Sequence, residues 1–140
     1  MKKAFTISSL LFSSVIFAQE IKETEVPQPV KDSFAKLYPQ VKKAEWEKDS
    51  INYEAEFKNN GVETEVLLAP DGKLIQTEVE VKIDQLPQAV KDYVAKNCSG
   101  KKIKEAAKIT SADNTVMWEA EVGDVDYYFD KSGKFLYTQK

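Results

Sequence analysis

The chain has 140 residues, with 20 basic residues that are all lysines, 23 acidic residues and a formal net charge of −3. Without arginine it lacks the bidentate fork that reads bases and phosphates, so nucleic acid is not an expected partner. Without histidine it lacks Ser-His-Asp and Cys-His nucleophilic schemes, His-ligated zinc and the commonest general base near neutral pH, and its one cysteine, Cys98, excludes an intramolecular disulfide.

Lys2 and Lys3 precede an apolar run, Phe5 through Phe17, that is interrupted by Thr6, Ser8, Ser9, Ser13 and Ser14 and stops at Ala18. A membrane span needs roughly 20 apolar residues. The run therefore reads as a secretory signal peptide over residues 1–18, cleaved after Ala18. No cysteine follows closely to carry a lipid, so the expected mature protein is periplasmic or secreted, with no membrane contact after cleavage. Losing Lys2 and Lys3 leaves 18 lysines against 23 acids, a net charge of −5.

Residues 19–25 read as an N-terminal extension. Val26-Pro27-Gln28-Pro29-Val30-Lys31-Asp32 then opens a pattern that returns sixty positions later as Leu86-Pro87-Gln88-Ala89-Val90-Lys91-Asp92. Tyr53-Glu54-Ala55-Glu56-Phe57 reappears as Trp118-Glu119-Ala120-Glu121-Val122, and Gly72-Lys73-Leu74 as Gly133-Lys134-Phe135. This is a duplication, with units at 26–83 and 84–140. Proline near the first turn, then Val30, Phe34 and Leu37, or Val90 and Val94, at helical spacing predict one amphipathic helix opening each unit. Pro39 and the stretch from Asn97 to Gly100 end these helices.

Period 2 follows. Ile51, Tyr53, Ala55 and Phe57 alternate with Asn52, Glu54 and Glu56, and after Asn59-Asn60-Gly61 the residues Val62, Thr64, Val66 and Leu68 continue the apolar face, predicting a hairpin. A turn at Pro70-Asp71-Gly72 leads into a strand from Leu74 to Ile83. In the second unit Trp118, Ala120 and Val122, then Val125, Tyr127 and Phe129, repeat the plan around Gly123, up to Ser132-Gly133. Val41 to Lys48 and Ile103 to Thr110 are additional strand candidates with poor alternation. The class is α+β: tandem helix-plus-antiparallel-sheet units with the helices on one face. A unit of about sixty residues buries only about 60% of its unfolded-chain surface. With only Asp84-Gln85 between them, the units should associate closely.

The helix-first units opening V/L-P-x-x-V, the aromatic-Glu-Ala-Glu strands, the Gly-Lys turn and the leader resemble the PepSY-like periplasmic proteins, over residues 26 to 139. The resemblance implies the fold of the beta-lactamase inhibitor protein: two antiparallel sheets side by side, helices on one face, and the opposite face free for a partner. It implies neither inhibition of a particular enzyme nor a peptidase activity.

Strand parity puts Glu54, Glu56, Glu63, Glu65, Glu78 and Glu80 of the first unit on the side opposite the helices, and Glu119, Glu121, Asp124 and Asp126 of the second. Such clustering costs a few tenths of a kcal/mol to about 1 kcal/mol per directly opposed pair; it fits either a solubilising face or one that meets a partner. Tyr128, Phe135 and Tyr137 share that parity, against Leu67, Leu74 and Gln76 in the first unit. They read either as the centre of an interface or as rings removed by a slipped register or a covering segment. Asp124, Asp126 and Asp130 lack the glycine and terminal glutamate of an EF-hand loop, and Asp71-Gly72 has no phosphate-loop glycine pattern around it; both read as turn or solvated-face chemistry. Cys98 reads as a small buried apolar residue, or, with Lys96 or Lys101 as an activating neighbour, as a reactive thiol.

The expected function is a non-enzymatic binding or inhibitor-like module, without cofactor or metal. It would hold an envelope protein, a peptide or a cationic partner through Tyr128, Phe135, Tyr137, Glu119, Glu121, Asp124, Asp126, Glu54 and Glu56. The alternatives are a carboxylate- or metal-dependent envelope enzyme and a purely structural envelope protein.

Overall fold

The computed structural model describes residues 19–140, so the proposed leader lies outside the described residues. Nine strands form one antiparallel sheet in chain order: β1 (Gln19–Ile21), β2 (Glu45–Asp49), β3 (Asn52–Asn59), β4 (Val62–Leu68), β5 (Leu74–Glu80), β6 (Ile103–Ser111), β7 (Val116–Val122), β8 (Val125–Asp130) and β9 (Phe135–Gln139). Two helices, α1 (Gln28–Leu37) and α2 (Gln88–Asn97), precede β2 and β6, each entered through a short 3-10 turn, at Glu23–Glu25 and Ile83–Gln85.

The duplication extends to individual hydrogen bonds. The Lys22 backbone N–H donates to Glu25 and, sixty residues on, that of Lys82 to Gln85, both at 2.9 Å. On the first helical turns the Gln28 amide donates to Asp32 at 2.7 Å and the Gln88 amide to Asp92 at 2.8 Å. Repeated Gln, Lys and Asp in the sequence therefore encode repeated local geometry. Pro29 sits in the first turn of α1, where a missing N–H costs nothing. Ser99 and Gly100 both take positive φ just after α2 and stop it.

The apolar face of each helix meets one parity of its strands. Val30 and Phe34 pack with Trp46, Ala55, Phe57, Val66 and Leu68, and Tyr53 and Leu74 lie against the same cluster. Val90, Val94 and Cys98 pack with Ala106, Ala120, Val122 and Phe129. Phe34 meets Trp46 and Phe57 edge-on, with ring centroids 5.3 and 5.1 Å apart, and in the second unit Tyr93 stacks on Phe135 at 4.8 Å. Cys98 is a buried free thiol at the end of α2, as its small apolar reading requires.

Several expectations need correction. Instead of two sheets side by side there is one continuous sheet, because β5 pairs with β6 from Gln76↔Ser111 to Glu80↔Ala107. An unpaired edge at that junction would leave a row of backbone donors and acceptors unmet, and pairing the two units removes it. The strand from Leu74 ends at Glu80 rather than Ile83, and Ile51 lies in a turn beside Ser50 (φ 58°), 70% exposed, outside the alternating strand. The extension at 19–25 supplies β1, which pairs with β2 through Ile21↔Trp46.

Phe135 is the correction that bears on the site. Its expected place was the carboxylate-bearing side, yet it packs among the α2 cluster. The β8/β9 register runs Tyr128↔Tyr137 and then Phe129↔Phe135, leaving Leu136 as an extra residue. One inserted residue reverses the parity beyond it. The first unit has the same irregularity, Leu67↔Gln76 and then Leu68↔Leu74, and Leu74 turns inward likewise. Phe135→Ala should therefore act on folding: we expect a loss of about 2 kcal/mol in urea-denaturation stability, the lower part of the range for a large-to-small core change because Phe135 is only half-buried.

Candidate functional site

The second parity of the sheet carries the carboxylates. Cross-strand partners project to the same face, so the register can be followed strand by strand. Glu45, Glu56, Glu65 and Glu78 form one row across β2, β3, β4 and β5, and the row continues to Ile109 on β6. A neighbouring row runs Glu20, Glu47, Glu54, Leu67 and Gln76. Across the junction Glu80 of the first unit is followed by Ala107, Glu119, Tyr128 and Tyr137 of the second, and Glu105, Glu121, Asp126 and Gln139 form the last row. Parity thus brings Glu54, Glu56, Glu119, Glu121, Asp126, Tyr128 and Tyr137 to one face, and excludes Phe135.

Asp124 is not a strand residue. It follows Gly123 in the turn between β7 and β8, with its side chain 92% exposed, and Lys104 Nζ lies 3.7 Å from both Asp124 and Glu121 at the rim. Asp130 is the last residue of β8 and caps the turn that follows: one of its oxygens accepts from the Ser132 backbone N–H, the Ser132 hydroxyl and the Lys134 backbone N–H. These bonds, the hydroxyl first, hold its pKa below the ordinary carboxylate range.

Burial departs from the expectation of a wet face. Glu54, Glu65, Glu78 and Glu119 are only 4%, 6%, 4% and 1% exposed, and Tyr128 is 3% exposed. Leu67, Ala107 and Ile109 are buried on the same face, and Tyr137 stacks on Tyr128 with centroids 4.6 Å apart. The buried groups also act on one another across the junction of the two units: Glu119 contributes to raising the pKa of Glu65, three strands away, and Glu78 to raising that of Tyr128.

The electrostatic result is a set of carboxyls that resist ionisation. Burial first, then Glu47, Asp49 and Glu56, push Glu54 up to about 8. Burial and then Asp126 push Glu119 up to about 8, against a hydrogen bond with Tyr128 that favours its ionised form. Glu65 is raised well above the carboxylate range by burial and then by Glu78, and Glu78 by burial and then by Glu119. Among the described residues the charged groups that shift these four are all acidic. Lys58 and Lys104 pair instead with Glu63, at 3.1 Å, and with Glu121. One oxygen each of Glu65, Glu78 and Glu119 is buried without a hydrogen-bond partner among the described residues.

Glu65 and Glu78 are thus central to the site, although sequence reasoning put them on this face without choosing them. One signal was present: the paired apolar residues Leu67-Leu68 and Ala106-Ala107 break the alternation, as strands buried on both faces do. The facing of Glu65 and Glu78 was not legible, because counting back from Leu68↔Leu74 sets Glu65 opposite Thr77 and only the register shift beyond Leu68 brings it to Glu78.

A nine-stranded antiparallel meander carrying one helix before β2 and one before β6 is the architecture of the beta-lactamase-inhibitor-like proteins. The family described as "putative beta-lactamase-inhibitor-like, PepSY-like" matches residues 16–76 and again 75–137, and the chain belongs to it. A BLIP-like protein from Bacteroides fragilis is 25% identical, with a TM-score of 0.64, over 81% of this chain and 85% of that one. A DUF2874 family protein from Bacteroides uniformis is 21% identical with a TM-score of 0.71, over 81% and 88%. A protein from Bacteroides eggerthii, described as "putative periplasmic", is 23% identical with a TM-score of 0.73 over the same shares. No curated protein matches the chain. Among the described residues no helix is long and apolar enough to cross a membrane.

Proposed function

We propose that this is a periplasmic, non-enzymatic binding or inhibitor-like module that holds a protein or peptide partner of cationic character on the carboxylate-bearing face of its sheet. The single observation behind this reading is the set of buried, partnerless carboxyl oxygens on Glu65, Glu78 and Glu119. An unmet buried polar group costs about 1–3 kcal/mol, and more when charged. A fold that keeps three such groups on one face gives up stability there, as binding surfaces commonly do. The packing of the helices supports the same reading: residues packing with α1 and with α2 have the same parity through the register, from Val66 to Thr77, Thr110 and on to Ala106, as two helices on the side opposite the carboxylates would require. A leader cleaved after Ala18 would deliver the module to the periplasm, where the Bacteroides eggerthii relative is also described as residing.

Photocrosslinking in the native periplasm tests the reading. A benzophenone side chain at Tyr137 or Glu121 should trap a discrete partner, whereas the same group at Lys36 on α1 or Lys96 on α2 should not. Glu121→Lys with Asp126→Lys should abolish the trapped species while shifting the thermal midpoint by no more than a few degrees. Equal crosslinking from helix and sheet positions, or none from the sheet, rejects it.

A further inference from the structure

We propose that the groove between α1 and β2 is a binding site for a small aromatic carboxylate, with its ring against Phe34, Tyr38 and Trp46 and its carboxylate among Lys31, Lys42 and Lys43. Helical spacing places Lys31, Phe34, Ala35 and Tyr38 along one stripe of α1 and the residue that ends it. The Tyr38 backbone N–H closes the helix on the Phe34 carbonyl at 2.9 Å, and the Val41 N–H returns to the Tyr38 carbonyl at 3.0 Å, so the chain turns back beside that stripe before entering β2. Between the stripe, the returning segment and Trp46 lies a cavity of about 260 Å³. At roughly 30 Å³ per water it has room for about eight or nine waters, or for a benzene ring bearing one carboxylate. Ala35, Pro39, Lys42 and Lys43 line it and are exposed, so it opens to solvent.

The lining names the occupant. Its wall is aromatic: Phe34 and Trp46 are buried and meet edge-on with ring centroids 5.3 Å apart, and the Tyr38 ring lies 5.6 Å from that of Phe34. Such a wall favours a flat apolar ligand that meets it edge-on or offset. The rim is basic, with three lysines against the single carboxylate of Glu23, in a chain whose formal net charge is −3. Among the described residues none of these lysines has a carboxylate partner, so their ammonium groups can donate to an anion. The duplication supplies a comparison within the chain. Sixty positions on, Phe34, Tyr38 and Trp46 become Val94, Cys98 and Ala106, and Lys43 becomes Ile103. Those smaller residues pack α2 on its strands, so seating a helix on this sheet does not by itself demand the rings and third lysine of the first unit. Trp46 has the core parity, opposite to that of Glu45 and Glu47, which separates the groove from the carboxylate-bearing face.

The probe is sodium benzoate, titrated into the 15N-labelled mature protein, with benzamide as its neutral isostere and sodium acetate at equal ionic strength as the control for charge alone. The expected result is a saturable shift of the Trp46 indole N–H signal and of the Lys42 and Lys43 amide signals, while the indole signal of Trp118, which packs in the second unit, stays in place. Benzamide and acetate should each bind at least about tenfold more weakly, as the loss of one charge-assisted contact or of the ring would cause. Lys42→Gln with Lys43→Gln should weaken benzoate by about tenfold, and Ala35→Phe, which fills the groove from its exposed side, should abolish the shift. Both variants alter exposed residues, so their thermal midpoints should stay close to that of the wild type. If benzamide or acetate matches benzoate, if either variant binds benzoate as the wild type does, or if Trp118 moves together with Trp46, the site is wrong.

Discussion

Glu78→Gln should make the protein more stable at pH 7 and leave it nearly unchanged at pH 4. Glu78 is buried and faces Glu65 directly across β4 and β5, and its pKa is held well above the ordinary 4.5 by burial and by Glu119. The folded chain thus holds this proton to a higher pH than the unfolded chain does. The folded state therefore binds more protons between pH 4.5 and its own raised pKa, and stability falls across that interval as pH rises, by about 1.4 kcal/mol per pH unit for each such proton. Below pH 4.5 both states are protonated and the penalty vanishes. The amide keeps the shape and cannot ionise, so the stability lost by the wild type between pH 4.5 and pH 7 is recovered, and the thermal midpoint at pH 7 rises. The same linkage predicts that wild-type stability declines from pH 4.5 to about 8, where Glu54 and Glu119 titrate. Urea denaturation of both proteins at pH 4, 6 and 8 decides it. A wild-type curve that rises with pH, or a Glu78→Gln curve parallel to it, would contradict the protonated cluster.

Gly72→Ala should lower the stability of the protein steeply. Gly72 has φ +86°, a region that costs an L-residue about 1–2 kcal/mol, and a Cβ there would lie 2.5 Å from the backbone oxygen of Pro29. The turn between β4 and β5 is thus seated against the first turn of α1, and a rigid backbone atom cannot yield as a side chain would. A loss of about 3–5 kcal/mol is expected, a large part of the 5–15 kcal/mol that stabilises an ordinary domain. Gly133 is its counterpart, with φ +90° and a Cβ that would meet Ala89 at 2.9 Å and Pro87 at 3.2 Å. Gly133→Ala should cost less, because its closest approach of 2.9 Å is looser than the 2.5 Å at Gly72, although Ala89 Cβ and the Val90 backbone nitrogen at 3.2 Å are both fixed to the helix. Midpoints from thermal or urea unfolding rank the two, and an equal or reversed ranking would mean that helix and turn do not meet as described. Gly61, with φ +83° and open space around it, is the control for conformation alone.

The Gly-Lys repeat was legible as a turn, because a strand change between alternating segments demands positive φ and glycine supplies it. Its contact with the helix was not, because nothing in Gly72 or Pro29 states that residues forty-three positions apart will touch. Tyr53, Ala55, Phe57, Trp118 and Ala120 could be assigned to the core parity from alternation alone, since side chains in a strand change sides at every residue. Phe135 could not, because the bulge at Leu136 is a property of how β8 and β9 register rather than of any residue type. β1 was hidden for a simpler reason: three residues are too few to show a period.

What the sequence determined by itself was therefore local and periodic: the duplication, the helix faces, the hairpin turns, the parity of the glutamates, and the nucleophilic and zinc chemistries excluded by the absence of histidine. The tertiary structure decided which of those glutamates are enclosed. Period 2 tells which way a side chain points, but how much water reaches it depends on its neighbours in the assembled nine-stranded sheet. There Glu54, Glu65, Glu78 and Glu119 are buried on a face that also carries Leu67, Ala107, Ile109 and Tyr128, which makes it an electrostatically strained surface rather than a merely acidic one.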